Sequence, residues 1–86
     1  MPRQNEYRTK DIYIASMLSL SEKLLRLEAQ SDFFWFIFSN KQACEKKVND
    51  YWQGETRVET KAFVNAVKDL KARVFSEGTK NALSVY

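Results

Sequence analysis

Histidine is absent from this 86-residue chain, cysteine occurs once and glycine twice. Without histidine there is no Cys/His zinc site and no imidazole base for acid–base or nucleophilic chemistry. The single cysteine, Cys44, excludes an intramolecular disulfide. Gly54 and Gly78 are too few and too far apart to make a phosphate-cradling loop. No window reaches the roughly 18 apolar residues that a spanning helix needs. The first six residues have no apolar core, so no signal peptide is expected. These absences lead to the expectation of a cytoplasmic chain without membrane contact.

Catalysis would then fall to carboxylates with a metal, or to lysine and tyrosine at shifted pKa. Asp50 and Glu55, and the group Glu22, Glu28 and Asp32, repeat no metal-loop spacing. They read as solvated surface carboxylates. The expectation is a protein that is not an enzyme and uses no cofactor.

What is present is an ordinary globular composition, with 44% hydrophobic and 29% charged residues. The length suits one domain, close to the size at which stability is thin. A net charge of +3 tolerates nucleic acid without demanding it. Aromatics, at 14%, are concentrated in residues 33–38 and in Tyr51-Trp52.

Residues 1–8 are polar, hold Arg3, Arg8 and the only proline, and read as a flexible basic arm. Residues 9–18 fit helix or strand; helix is preferred, because Asp11 or Thr9 can cap it and Ile14 with Leu18, or Tyr13, Met17 and Leu20, stack at helical spacing. Residues 23–29 and 33–38, separated by Gln30-Ser31-Asp32, read as a β-hairpin. Parity places Leu25, Leu27 and Ala29 on an inner face, and Leu24, Arg26 and Glu28 on an outer one. For residues 33–38 parity alone favours neither set; Phe33, Trp35 and Ile37 are taken to point outward, with Phe34, Phe36 and Phe38 opposite.

Ser39 with Gln42 fits a capping box that starts a second helix. Its stripe is Cys44, Val48, Tyr51 and Trp52, and Gly54 stops it. Residues 55–59 are an extended link, with Val58 near the core. Thr60 is expected to cap a third helix, with Phe63, Ala66, Val67, Leu70 and Val74 as its apolar stripe and Gly78 as its end. Residues 79–86 are expected to be a frayed tail. The order is helix, two-stranded antiparallel hairpin, helix, helix: one compact α+β domain over residues 9–78.

Four segments carry a resemblance: Thr9-Lys10-Asp11-Ile12-Tyr13-Ile14-Ala15-Ser16, Trp35-Phe36-Ile37-Phe38, Cys44-Glu45-Lys46-Lys47-Val48-Asn49-Asp50-Tyr51-Trp52, and Phe63 through Leu70-Lys71 to Val74-Phe75. In this order the chain resembles a family of short, uncharacterised bacterial and archaeal proteins classed as a domain of unknown function. The resemblance implies a self-contained domain. It brings no established activity, cofactor or catalytic residue.

The outer hairpin face is the sharpest clue. Three large apolar groups left in water forfeit about 1.5–3 kcal/mol each, a sum comparable with the whole stability of a small domain, about 5–15 kcal/mol. Three covers are open. A helix of the chain itself could pack there, or a second copy could form a homodimer across a two-fold axis. Alternatively Phe33 and Trp35 beside Arg26 could stack single-stranded RNA or DNA bases. Lys61, Lys68 and Lys71, like Arg3 and Arg8, could meet phosphates, although interspersed carboxylates favour a solvated face. Cys44 reads as a small buried hydrophobe, with a reactive thiol as the rival. The reading is a self-associating binding module, an accessory of a nucleic-acid-handling system. Its contact residues are Arg26, Phe33, Trp35, Ile37, Arg3, Arg8, Lys61, Lys68 and Lys71. The alternative is an adaptor or inhibitor docking through the aromatic face within a larger protein complex, without nucleic acid.

Overall fold

The computed structural model describes the backbone of residues 5–85 and the side chains of residues 5–77. Its elements are β1 (Glu6–Thr9), α1 (Ile12–Ser19), β2 (Leu24–Ala29), β3 (Phe34–Ser39), α2 (Lys41–Trp52) and α3 (Thr60–Val85). The fold is α+β, with three helices and an antiparallel sheet of order β1-β3-β2.

The sheet has three strands where a two-stranded hairpin is expected from the sequence. The third is β1, which lies in the segment read as a flexible arm. It pairs with β3 in the register Glu6 to Ser39, Tyr7 to Phe38, Arg8 to Ile37 and Thr9 to Phe36. Tyr7 packs against the core and Thr9 is buried, while Glu6, Arg8 and Lys10 alternate with them. A period-2 pattern of this kind fixes the faces of a strand.

Aspartate starts α1: the Asp11 carboxylate accepts the backbone N–H groups of Tyr13 at 2.8 Å and Ile14 at 3.2 Å. Five consecutive residues, 14–18, are buried. Burial around most of a helix means packing on more than one side, and α1 touches both the sheet and α3. The core joins Ile14, Ala15, Met17 and Leu18 to Phe36 and Phe38 of β3, Cys44 of α2 and Leu70 of α3.

The hairpin stands where expected, and its polar turn is closed by Gln30 N–H donating to Phe33 O at 2.8 Å. Its parity does not hold throughout. A register irregularity between Leu24 and Arg26 pairs Leu24 with Phe38 and Leu27 with Phe36. Leu24 and Leu27 therefore face the core, and Leu25 is exposed. An extra residue in one strand shifts every side chain on one side of it to the other face.

Asn40, rather than Ser39, caps α2. Asn40 adopts the left-handed region, with φ 62° and ψ 68°, and its side-chain oxygen accepts Ala43 N–H at 3.3 Å. Ser39 remains the last residue of β3, and asparagine tolerates the left-handed turn between strand and helix. At the other end Gly54, with φ 75°, closes a Schellman motif: Glu55 N–H donates to Asp50 O at 2.9 Å and Gly54 N–H to Tyr51 O at 3.1 Å. Within α2 the stripe holds for Cys44, Val48 and Tyr51, but Trp52 is largely exposed.

Thr60 is the first residue of α3, and Phe63 N–H donates to Glu59 O at 3.0 Å. Phe63, Ala66, Leu70 and Val74 face inward as expected, and Val67 is half-buried. Gly78 does not end the helix, which continues to Val85 through the segment read as a tail. A glycine inside a helix costs about 1 kcal/mol against alanine, too little to stop one without a left-handed turn or a proline after it.

Candidate functional site

All of the core contacts of β3 lie on one face of the sheet, through Phe36 and Phe38. Trp35 and Ile37 alternate with them and so project from the opposite face, whereas the helix residues of the core cluster pack on the Phe36 and Phe38 side among the described residues. Register sets what surrounds them. Arg8 of β1 and Arg26 of β2 flank Ile37, Glu28 lies beside Trp35, and Glu6 beside Ser39.

Because β3 separates β1 from β2, any side chains that join the outer strands must cross it. Two ion pairs do. Arg26 Nη1 and Nη2 donate to Glu6 Oε2 and Oε1 at 3.0 Å each. Arg8 Nη2 donates to Glu28 Oε1 at 2.8 Å, and Arg26 Nε donates to Glu28 Oε2 at 2.9 Å. The result is one chain of charges, Glu6–Arg26–Glu28–Arg8, running over the central strand. Hydrogen bonds donated to Glu6 first, and then to Glu28, hold the Arg26 guanidinium above its ordinary pKa.

Beneath this chain Ile37 is 0% exposed, although it lies outside the helix-side core. The magnitudes show which effect matters. Ion pairs at a surface contribute about 0–1 kcal/mol each, whereas fully burying an isoleucine contributes about 1.5–3 kcal/mol. The arginines stabilise mainly as apolar stems laid over Ile37, and the carboxylates fix where those stems lie.

Toward the turn, Phe33 and Trp35 meet edge to face, with ring centroids 5.4 Å apart and planes at 79°. Each carries a cation. The Arg8 guanidinium carbon lies 5.3 Å from the centroid of the Trp35 ring, and Lys10 Nζ lies 5.0 Å from that of Phe33. Both rings are half-buried.

The structure thus gathers Arg8, Arg26, Phe33, Trp35 and Ile37 on one face. Ile37 is a buried residue of that face, not an exposed contact residue, and Arg8 and Arg26 are its cross-strand neighbours. Lys61, Lys68 and Lys71 do not join the face. They are exposed on α3, which packs on α1 behind the sheet. Arg3 lies outside the described residues. Sequence reasoning missed Glu6 and Lys10 at this face, although the alternation Glu6-Tyr7-Arg8-Thr9-Lys10 carries the signal of a half-buried strand.

Cys44 is fully buried, and its Sγ lies 3.4 Å from Ser39 O. Burial first, then the charge of Glu22, pushes the thiol up to about 11. It remains a neutral packing group near pH 7, and the reactive-thiol alternative has no support here. On the helical side, an open groove of about 400 Å³ is lined by Tyr13, Met17, Tyr51, Thr56, Val58 and Phe63. Among the described residues no group of three or more Cys, Asp or Glu could hold a metal ion, and no helix is long and apolar enough to cross a membrane.

Residues 4–76 match the family model Domain of unknown function (DUF5659), and the chain belongs to that family. No curated protein and no solved structure matches it.

Proposed function

We propose that this chain is a small non-enzymatic binding module that self-associates through the open face of its sheet. The observation that carries the reading is the arrangement around Trp35. Among the described residues the core cluster joins the helices to one face, and on the other Phe33 and Trp35 are left half-buried beside two arginines and two glutamates that alternate. A surface with both signs interspersed is self-complementary, since a two-fold axis can set the arginines of one copy against the carboxylates of the other. The charge chain already covers Ile37, so the monomer folds without a partner and its association is reversible.

A second reading is single-stranded nucleic acid on the same face, and one observation favours it. Arg8 and Lys10 lie over the two aromatic rings, so bases stacked on the rings would have cations beside their phosphates. Three strands also give a broader platform than a lone hairpin. Glu6 and Glu28 weigh against it, because both would meet the phosphate backbone.

Sedimentation of the full chain with a labelled random single-stranded oligonucleotide, at low and at physiological salt, separates the readings. Self-association without the oligonucleotide supports the first. Cosedimentation that falls steeply with salt and is lost in Trp35→Ala supports the second. A monomer that ignores the oligonucleotide overturns both and leaves an adaptor for another protein.

A further inference from the structure

The outward side of α3 has a pattern that the sheet face does not explain. Lys61, Val64, Lys68, Lys71 and Phe75 follow one another at intervals of three, four, three and four residues. That spacing places them on a single line along a helix and is the spacing of a coiled-coil seam. The line spans about 21 Å at 1.5 Å per residue. It lies away from the inward stripe of Phe63, Ala66, Leu70 and Val74.

All five residues are exposed. Phe75, at 74%, is the most exposed large apolar side chain among the described residues, and Val64 is 42% exposed. None of the three lysines is in an ion pair among the described residues. The arginines of the sheet face differ in this respect, since Arg8 and Arg26 are both paired. Asn65 and Ala72, also exposed, flank the line with short side chains that permit close approach.

We propose that this stripe is a second docking surface, and that its occupant is an acidic amphipathic helix of another protein. The periodicity is that of helix-on-helix packing. Val64 and Phe75 offer apolar contacts, and Lys61, Lys68 and Lys71 call for carboxylates at the facing positions. The same lysines reject a second copy of the stripe, because like charges would meet along the seam. A phosphate backbone would pair with the lysines but offers nothing to Val64. An anionic membrane needs a wide apolar face to insert, and the wide apolar face of α3 is already in the core. The surface rests on none of the residues of the sheet face, so either proposal can fail alone.

The test titrates the full chain with a synthetic acidic helix of about three heptads, with leucine facing Val64 and Phe75 and glutamate facing the lysines. Comparison probes are the same peptide with lysine for glutamate, random single-stranded and duplex oligonucleotides, and vesicles of anionic lipid. The acidic peptide is expected to bind saturably and more weakly as salt rises. Phe75→Ala, and separately the double change Lys68→Glu with Lys71→Glu, should each weaken it by roughly tenfold or more, the loss of one anchor. Circular dichroism and the melting temperature should stay those of the parent. The matched change Lys41→Glu with Lys46→Glu on α2 should leave binding intact. Absence of saturable binding at low salt overturns the proposal, as does an equal loss from the α2 changes. Tighter binding of an oligonucleotide or vesicle, abolished by the α3 changes, overturns it in favour of that ligand.

Discussion

Arg8 lies over Trp35, with its guanidinium carbon 5.3 Å from the ring centroid, while its Nη2 donates to Glu28 Oε1 at 2.8 Å. One side chain from β1 thus crosses the central strand, touches the aromatic ring and reaches β2. With Arg26 and Glu6 crossing in the opposite sense, it closes the outer face over Ile37. Of the greasy face implied by residues 33–38, Ile37 is buried within the chain, while Phe33 and Trp35 stay half-buried.

The cover makes Ile37 a core residue on the face opposite Phe36 and Phe38. Ile37→Ala should destabilise the fold by about 2–5 kcal/mol, as for a buried aliphatic residue. Trp35→Ala should cost less, about 1–2 kcal/mol, because a half-buried ring loses partial packing, one aromatic contact and one cation contact. Urea unfolding of both variants checks the order. A change within about 0.5 kcal/mol for Ile37→Ala, as at an ordinary surface site, would show that the charge chain does not bury it.

Asn40 serves two ends at once, since it turns the chain left-handed after β3 and caps α2. Asn40→Gly keeps the turn and loses only the cap, so it should cost a few tenths of a kcal/mol. Asn40→Ala loses both, at about 1–3 kcal/mol. Thermal melting should rank native first, glycine close behind and alanine last; alanine matching glycine would remove the backbone part of the argument.

Cys44 links stability to alkaline pH. The folded thiol titrates near 11 against an ordinary 9.0, so between these values the unfolded chain loses its proton first. Stability is therefore complete below about pH 9 and declines as pH rises toward 11. Tyr7, raised mainly by burial and then by Cys44 and Glu45, acts in the same direction at higher pH. Cys44→Ala should flatten the decline between pH 9 and 11 in a urea-unfolding series. At pH 8 the native thiol should resist thiol reagents and the unfolded chain should react; fast labelling of the native protein would contradict its burial.

Periodicity and caps made much of this legible in the sequence. The hairpin, the capping of α1 by Asp11, the glycine stop of α2 and the inward stripe of α3 all follow from local rules. Other features did not, and three of them have a plain physical reason. β1 is only four residues long and gains its stability by pairing with β3, a partner about 30 residues away, so its local signal is weak. The irregularity at Leu24 and Arg26 answers to packing against Phe36 and Phe38, and no residue type announces it. Gly78 has the chemistry of a helix stop, but only a left-handed turn makes it one. The candidate face was legible in part. Arg26 follows from strand parity, and Phe33 and Trp35 form one of the two aromatic sets between which parity does not choose, whereas Glu6, Arg8 and Lys10 become neighbours only through β1.

The central claim is that the open face joins two copies, and the mass of the purified chain against concentration tests it most directly. In sedimentation equilibrium the mass should rise from 10.1 kDa toward twice that value, while Trp35→Ala stays at the monomer mass with its fold intact. A mass fixed at 10.1 kDa up to high concentration, or a Trp35→Ala variant that associates like its parent, would contradict it.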